Sequence, residues 1–239
     1  MKHVGSKRRI WPYIAPLILS GRRENQLYVE AFLGGANSFM HVENPRLGAD
    51  INPYIVACLA AARDGWIPPN TVTEAEYYAI RDNMSAYPPE LVGFVGVGCS
   101  FGAKWWGGYA RDSIGIRNRT RETYEQIIEQ APLLRGASLV CCSYDALDIP
   151  DGSIAYLDPP YQGTTGYKQS GAFDHAAFWR WADDLAGRCR VFVSEYNAPA
   201  NWVNIWQRNQ LTNIDNKRGV AFKAQERLFV PESQLRRLL

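Results

Sequence analysis

Short apolar runs that end at a glycine turn or at an acid alternate with longer amphipathic segments over much of the chain. Residues 27–32 (LYVEAF) form one such run and lead into Gly34 and Gly35, and residues 46–50 (RLGAD) form a second that ends at Asp50. The next segment, INPYIVACLAAARDG, predicts an apolar helix that Gly65 closes. This order of strand, turn, helix, strand, acid and helix predicts the opening of a doubly wound α/β sheet.

The pattern changes at about residue 66 and resumes at about residue 123. Residues 66–122 begin with prolines, contain a capping box at Thr73 and Glu76, and continue as glycine-, aromatic- and arginine-rich chain without a clear period. The α/β pattern then returns with a helix near residues 121–131, strands at 137–144 and 153–158, a helix at 174–187 and a strand at 190–197. Residues 1–65 and 123–239 are therefore predicted to form one Rossmann-like domain, with residues 66–122 as an inserted, mostly helical and loop lobe.

Composition places the chain among globular proteins and says little about partners. Its 239 residues are 46% apolar and the formal net charge is +2, so neither disorder nor a strongly basic surface is indicated. The five cysteines show no CxxC spacing and no neighbouring histidines, which argues against zinc and is typical of buried thiols in a reducing compartment. The apolar stretch IAPLILSG is too short for a membrane span. We predict a cytoplasmic protein without a metal site, and the choice between monomer and dimer stays open.

Three strand ends carry the candidate chemistry. A glycine turn at residues 32–35 follows the first strand, Asp50 ends the second, and Asp158-Pro159-Pro160-Tyr161 ends a later one. In open α/β sheets ligands bind outside the carboxyl ends of the strands, so all three are expected to face one crevice. The turn suits a ligand that carries a nucleoside and the terminal acid suits a ribose diol, whereas the lack of a GxGxxG motif argues against a dinucleotide.

The tetrad at residues 158–161 offers what an exocyclic amino group needs. The Asp158 carboxylate and the Pro159 carbonyl can accept both amino hydrogens. Such acceptors favour a pyramidal nitrogen and stabilise the positive charge that develops when this nitrogen attacks a methyl donor. Tyr161 offers a flat face on which a base can stack, worth about 1–3 kcal/mol.

These residues resemble motifs of a known family. Residues 158–161 resemble the catalytic tetrad of amino-methylating DNA methyltransferases, which use S-adenosylmethionine, and residues 32–35 resemble their cofactor loop. The order of cofactor loop, insert and tetrad is that of the alpha group of N6-adenine enzymes, which includes the Dam type. Further segments that resemble this family are KHVGSKRRIWPYIAPLI, YVEAFLGGANSF, GADIN, CCSYDAL, the FDH helix start at 173–175 and the VFVSEYN strand at 191–197.

The resemblance implies roles for individual residues. Asp158 and Pro159 would hold the amino group of a flipped-out adenine and Tyr161 would stack on the base, with Pro160 completing the catalytic tetrad. The cofactor site implied by the resemblance consists of Lys7, Glu30, Phe32, Gly34, Asp50, Ser143, Tyr144 and Asp158. A stand-alone enzyme of this kind is expected in bacteria or bacteriophages, with or without a partner restriction nuclease.

The inserted lobe is expected to bind double-stranded DNA as the target-recognition domain. Its candidate contacts are Lys104, Trp105, Arg111, Arg117 and Arg119, which lie among glycines and aromatics as suits a loop along a phosphate backbone. The base is expected to be extruded, because its amino group is buried in the duplex. The segment CSFGAKWWGGYAR departs from the Dam-type loop, so the recognition site GATC is not carried over.

Several alternatives stay open at this point. A cytosine-N4 methyltransferase is a rival, although its tetrad usually begins with Ser, and a catalytically inactive DNA-binding relative is another. Asp50 can cap the following helix instead of, or as well as, binding a ribose. Lys7 can be part of a solvated charge run. Trp105 and Trp106 can form a hydrophobic plug of the lobe or a wedge that faces DNA.

Overall fold

The strands of the computed structural model form one sheet. The structure describes residues 1–111, 118–162, 173–212 and 222–238. Its strands are β1 (Tyr28–Glu30), β2 (Arg46–Asp50), β3 (Ser138–Cys141), β4 (Ile154–Leu157), β5 (Arg190–Glu195), β6 (Trp202–Thr212) and β7 (Phe222–Pro231). They lie in the order β3-β2-β1-β4-β5-β7-β6. The first five positions repeat the order of a Rossmann sheet, so the predicted α/β fold class is confirmed.

Helices lie between β2 and β3 and between β4 and β5. The α-helices are α1 (Trp11–Leu19), α2 (Pro53–Arg63), α3 (Glu74–Asp82), α4 (Pro89–Gly93), α5 (Arg119–Gln130), α6 (His175–Ala186) and α7 (Glu232–Leu238). Short 3-10 turns lie at Lys7–Arg9, Phe39–His41, Met84–Ala86, Phe101–Ala103 and Ala131–Leu134, and Phe94–Gly98 is a π-helical turn. None of the helices in the described ranges is long and apolar enough to cross a membrane.

The chain divides into two compact units. The first comprises Met1–Pro12 and Ala31–Leu147, and the second comprises Tyr13–Glu30 and Asp148–Leu239. The predicted lobe at residues 66–122 lies within the first unit. Its role as a separate recognition domain stays a prediction.

The first unit contains the parallel pair β2 and β3, in which Asp50 lies opposite Cys141. The capping box that the sequence predicts at Thr73 and Glu76 begins α3, and Asn52 caps α2. Helix α4 approaches α2 so closely that a Cβ on Gly93 would lie 2.0 Å from the Tyr54 carbonyl oxygen. Only glycine fits at this helix crossing.

The second unit holds β1, β4 and β5 as parallel neighbours, with β7 antiparallel to both β5 and β6. Every residue of β4 is buried, as expected for a central strand. The predicted helix at 174–187 is confirmed as α6, which begins at the capping side chain of Asp174. β1, β4 and β5 run in the same direction. Glu30 ends β1, Glu195 ends β5 and Asp158 follows β4, so these three carboxylates lie along one edge of this unit.

The cysteines only partly match the expectation of buried thiols. Cys58, Cys99 and Cys189 are buried, but Cys141 is exposed and Cys142 is half-buried. The difference arises because β3 is an edge strand, exposed at both its ends. Within the described ranges no group of three or more His, Cys, Asp or Glu side chains is arranged to hold a metal.

Candidate active site

Asp50 ties the glycine turn of the first unit to the start of α2. Its Oδ2 atom accepts a hydrogen bond of 2.8 Å from the backbone N–H of Gly34, and its Oδ1 atom accepts one of 2.9 Å from Asn52. The backbone N–H of Leu33 donates to the carbonyl of Ala49 at 2.8 Å, which holds the turn beside the end of β2. The cap of α2 itself comes from Asn52, so the alternative that Asp50 merely caps this helix is wrong. Each carboxylate oxygen of Asp50 keeps a second lone pair that a ligand hydroxyl could use.

The turn needs glycine because the N-terminal segment lies directly on it. Gly34 has a φ of +49°, and a Cβ there would lie 3.0 Å from Nδ1 of His3. A Cβ on Gly35 would lie 2.5 Å from the carbonyl oxygen of Met1. The ring of His3, to which the sequence analysis gave no role, covers the turn. Burial lowers the pKa of His3, while the negative charge of Asp50 acts in the opposite direction.

A pair of aromatic rings and an exposed apolar side chain lie in the same unit as Asp50. The rings of Phe32 and Tyr144, both predicted cofactor residues, stack at a centroid distance of 5.3 Å and an interplanar angle of 28°. Ile51, which directly follows Asp50, is 61% exposed. The sequence analysis did not single out Ile51, although an isoleucine immediately after a strand-ending acid was a readable signal. The hydroxyl of Ser143 donates to the carboxylate of Asp145, so the structure gives Ser143 a local structural contact.

Lys7 is buried and does not belong to a solvated charge run. It is 6% exposed, and its Nζ donates to the carbonyl of Gly5 at 3.1 Å. Burying a cation costs free energy unless it has charged or hydrogen-bonding partners. The interpretation of Lys7 as an incidental surface lysine therefore does not account for its burial. Its predicted contact with a cofactor stays a prediction.

In the second unit, the tetrad at residues 158–161 leaves the sheet at the end of β4. Pro159 is buried, while Asp158, Pro160 and Tyr161 are half-buried. A proline after the acid ends the strand, because it cannot donate to the ladder. The motif therefore lies at the end of a strand, as the sequence predicts.

Tyr161 is held at two points. Its hydroxyl donates a hydrogen bond of 2.7 Å to Oε2 of Glu226, and its ring meets the ring of Tyr196 edge to face at 4.5 Å and 77°. Burial and the charges of Asp158 and Glu226 raise the pKa of Tyr161 well above its usual value. The phenol therefore remains a hydrogen-bond donor at neutral pH.

Two further buried carboxylates lie at the strand ends of this unit. Glu195 accepts the backbone N–H of Gln162 at 3.2 Å and that of Tyr196 at 2.7 Å. Glu30 accepts the hydroxyl of Tyr28 at 2.7 Å, and burial together with the Glu30 charge raises the pKa of Tyr28. The sequence analysis assigned a role to Glu30 from the family resemblance, but it assigned none to Glu195 or Glu226.

The candidate DNA contacts have different environments in the structure. Lys104 is exposed, Arg111 pairs with Glu74, and Arg119 lies 3.4 Å from Glu122; Arg117 lies outside the described residues. The Trp105 ring stacks on Tyr54 at 5.7 Å and lies against Gly96, where a Cβ would be 2.7 Å from it. These contacts favour the plug interpretation of Trp105 over the wedge.

Comparisons with known proteins find likeness in structure alone. No protein-family model and no curated protein matches the chain. The rRNA methyltransferase aviRa from Streptomyces viridochromogenes aligns with 10% identity and a TM-score of 0.42, covering 96% of this chain and 87% of that chain. The candidate methyltransferase yhhF from Escherichia coli aligns with 12% identity and a TM-score of 0.37, covering 96% of this chain and 85% of that chain. SMU.472, a candidate methyltransferase in complex with SAH, aligns with 13% identity and a TM-score of 0.35, covering 95% of this chain and 53% of that chain. At these TM-scores the likeness carries no weight for the site or the reaction, and the fold class rests on the strand order.

Proposed function

We propose that the chain is an S-adenosylmethionine-dependent methyltransferase that modifies the N6 amino group of a flipped-out adenine in double-stranded DNA. The observation that carries the proposal is the sequence Asp158-Pro159-Pro160-Tyr161 at the carboxyl end of the buried strand β4. This position puts two acceptors and an aromatic ring where open α/β sheets bind ligands. The family resemblance of the tetrad supplies the reaction class.

The residues of the first unit fit the cofactor. Asp50 offers a fixed carboxylate, whose two oxygens already orient Gly34 and Asn52, to the hydroxyls of a ribose. Phe32, Ile51 and Tyr144 offer apolar surface for a purine ring. When bound, the cofactor would supply an electrophilic methyl group on a sulfonium, so no metal is required.

The residues of the second unit would prepare the amino nitrogen. Asp158 and the Pro159 carbonyl accept its two hydrogens and localise its lone pair. This nitrogen would accept the methyl group that the bound cofactor would supply, and the cofactor's sulfur would keep the electron pair of the broken sulfur–carbon bond. The Asp158 carboxylate then stabilises the positive charge on nitrogen, which is neutralised when one of the two amino protons leaves to solvent.

DNA binding would depend on the lobe. Exposed Lys104 is suited to a phosphate, and Arg111 and Arg119 can exchange their surface ion pairs for phosphate contacts, because such pairs contribute little stability. We expect the enzyme to act in the cytoplasm, where bacterial or bacteriophage DNA is found.

The proposal is tested by transfer of labelled methyl from S-adenosylmethionine to DNA, RNA and protein, followed by nucleoside analysis of the DNA. We expect N6-methyladenine, and we expect Asp158→Ala to abolish it. The matched control is Asp151→Ala, which removes an exposed aspartate of the same unit that pairs with Arg188. Label found only as N4-methylcytosine, or only in RNA or protein, would reject the assignment. Near-normal turnover by Asp158→Ala would reject the role of that residue.

A further inference from the structure

The carboxylate of Glu226 reaches the tetrad from a distant part of the sequence. It lies on β7 and is 8% exposed, and its Oε2 accepts the Tyr161 hydroxyl at 2.7 Å. Both residues belong to the second unit. The hydroxyl contact and the edge contact with Tyr196 together define the plane in which the Tyr161 ring lies.

A carboxylate is a costly choice for this position if its role is packing. Burial of a charge disfavours folding unless hydrogen bonds compensate for lost hydration, and apolar replacements of buried charged groups are often neutral or stabilising. The neighbouring side chains of β7 make contacts of their own: Arg227 donates to the side chain of Gln225 and to the Tyr196 carbonyl. The hydrogen bond to the Tyr161 hydroxyl gives the Glu226 carboxylate a role beyond filling space.

The chain just beyond the tetrad is held in a similar way. Glu195 is 2% exposed and accepts the backbone N–H of Gln162, the residue after Tyr161. One buried carboxylate thus orients the backbone and another orients the ring. The repetition points to a requirement for an accurately placed Tyr161.

A phenol that donates to a carboxylate has a more electron-rich ring than a solvated phenol. Such a ring attracts positive charge on its face more strongly. In the proposed reaction the base becomes cationic only as the methyl group is transferred. An interaction of this kind raises kcat, because it is stronger in the transition state than in the ground state.

We infer that Glu226 is a positioning residue for methyl transfer, acting through the Tyr161 hydroxyl to fix and polarise the ring that stacks on the target base. This inference rests on the proposed function. It adds a residue outside the tetrad and predicts that the effects of changing Glu226 and Tyr161 are not independent.

The test is a double-mutant cycle measured as kcat and KM for methyl transfer to a DNA duplex. Glu226→Gln keeps an acceptor but loses the charge, and Glu226→Leu loses both. We expect kcat to fall in the order wild type, Gln, Leu, by about 10- to 100-fold for Leu, with KM for DNA changed much less. In the Tyr161→Phe background the same changes should cost less than about twofold, because the hydroxyl through which Glu226 acts is gone.

The control is Tyr156→Phe, which removes another buried tyrosine hydroxyl of the same unit, one that bonds to Ser194 at 2.8 Å. It should leave kcat unchanged, and thermal unfolding of every variant separates loss of folding from loss of function. Additive effects of the two sites would overturn the inference, and so would an unchanged kcat in both Glu226 variants. If Glu226→Leu does not fold, Glu226→Gln alone completes the cycle.

A second measurement does not depend on activity. In protein labelled with 13C at tyrosine Cζ, the Tyr161 resonance should move in Glu226→Gln while that of Tyr156 stays in place. An unmoved Tyr161 resonance would overturn the inference even if the wild type is active. Conversely, a wild type that transfers no methyl to DNA refutes the proposed function while this resonance still reports whether the hydrogen bond exists.

Discussion

Replacing Asp50 by asparagine changes the cofactor half of the candidate site with almost no change in shape. The wild-type carboxylate accepts one backbone N–H on each oxygen, from Gly34 at 2.8 Å and from Asn52 at 2.9 Å. Asparagine has one oxygen and one NH₂ group. Whichever way its amide turns, the NH₂ group faces one of these two backbone donors.

The size of the effect follows from that conflict. A partly buried backbone donor left without an acceptor costs about 1–3 kcal/mol in the free energy of unfolding. For a chain of this length, such a loss lowers Tm by about 2–12 °C. Loss of the negative charge also weakens the hydrogen bonds expected from a ribose, so the Kd for S-adenosylhomocysteine should rise about 10- to 100-fold.

Calorimetric titration with S-adenosylhomocysteine and thermal unfolding measure the two effects separately. The control is Asp64→Asn, which makes the same chemical change at a surface aspartate paired with Arg63 at 2.7 Å. Because surface ion pairs contribute at most about 1 kcal/mol, it should leave the Kd unchanged and Tm nearly so. Wild-type affinity in Asp50→Asn would refute the ribose role, and a wild-type Tm would refute the clamp on the turn.

Three further predictions concern packing, pH and DNA. Gly93→Ala should lower the free energy of unfolding by about 1–3 kcal/mol or more in urea titrations, since its Cβ would lie 2.0 Å from the Tyr54 carbonyl oxygen; a neutral effect would contradict this helix crossing. Burial raises the pKa of the Cys58 thiol to about 12, so the unfolded chain loses this proton first as the pH rises. The free energy of unfolding should therefore fall between pH 9 and 12, by up to about 1.4 kcal/mol per pH unit. Cys58→Ala should show a shallower decline, and equal slopes for the two proteins would refute the assignment. Lys104→Ala should reduce the slope of log K against log salt for duplex DNA by about 1 without changing cofactor affinity, and an unchanged slope would remove Lys104 from the interface.

Strand ends and caps were predictable because their signals are local. Asp50 follows a short apolar run, and Asp174 precedes a periodic segment. Pro159 and Pro160 stop the strand that comes directly before Asp158. Each of these features is decided by a few neighbouring residues. The predicted run at 27–32 was longer than β1, because the chain turns at residues 32–35 and Leu33 bonds outside the strand to Ala49.

Contacts between distant segments could not be predicted in this way. His3 meets a turn that begins 29 residues later in the chain, and Glu226 lies 65 residues from Tyr161. The second contact depends on β7 pairing antiparallel with β5. The alternation of side chains in a strand specifies which residues share a face, but it does not specify which strand lies beside it. Trp105 shows the same limit, since its partner Tyr54 lies on α2, far from it in the sequence.

The strand ends of the second unit share a pattern that bears on the proposed chemistry. Each of three buried carboxylates accepts hydrogen bonds from a tyrosine hydroxyl or a backbone N–H: Glu30 from Tyr28, Glu226 from Tyr161, and Glu195 from the chain after the tetrad. These donors hold the three carboxylates in fixed orientations in the same unit as Asp158. A site of this kind favours a reaction in which positive charge develops on the bound group, since fixed charges need not reorganise as the reaction proceeds. Methyl transfer to an amino nitrogen is such a reaction, whereas one that develops negative charge beside Asp158 would be opposed by the same carboxylates.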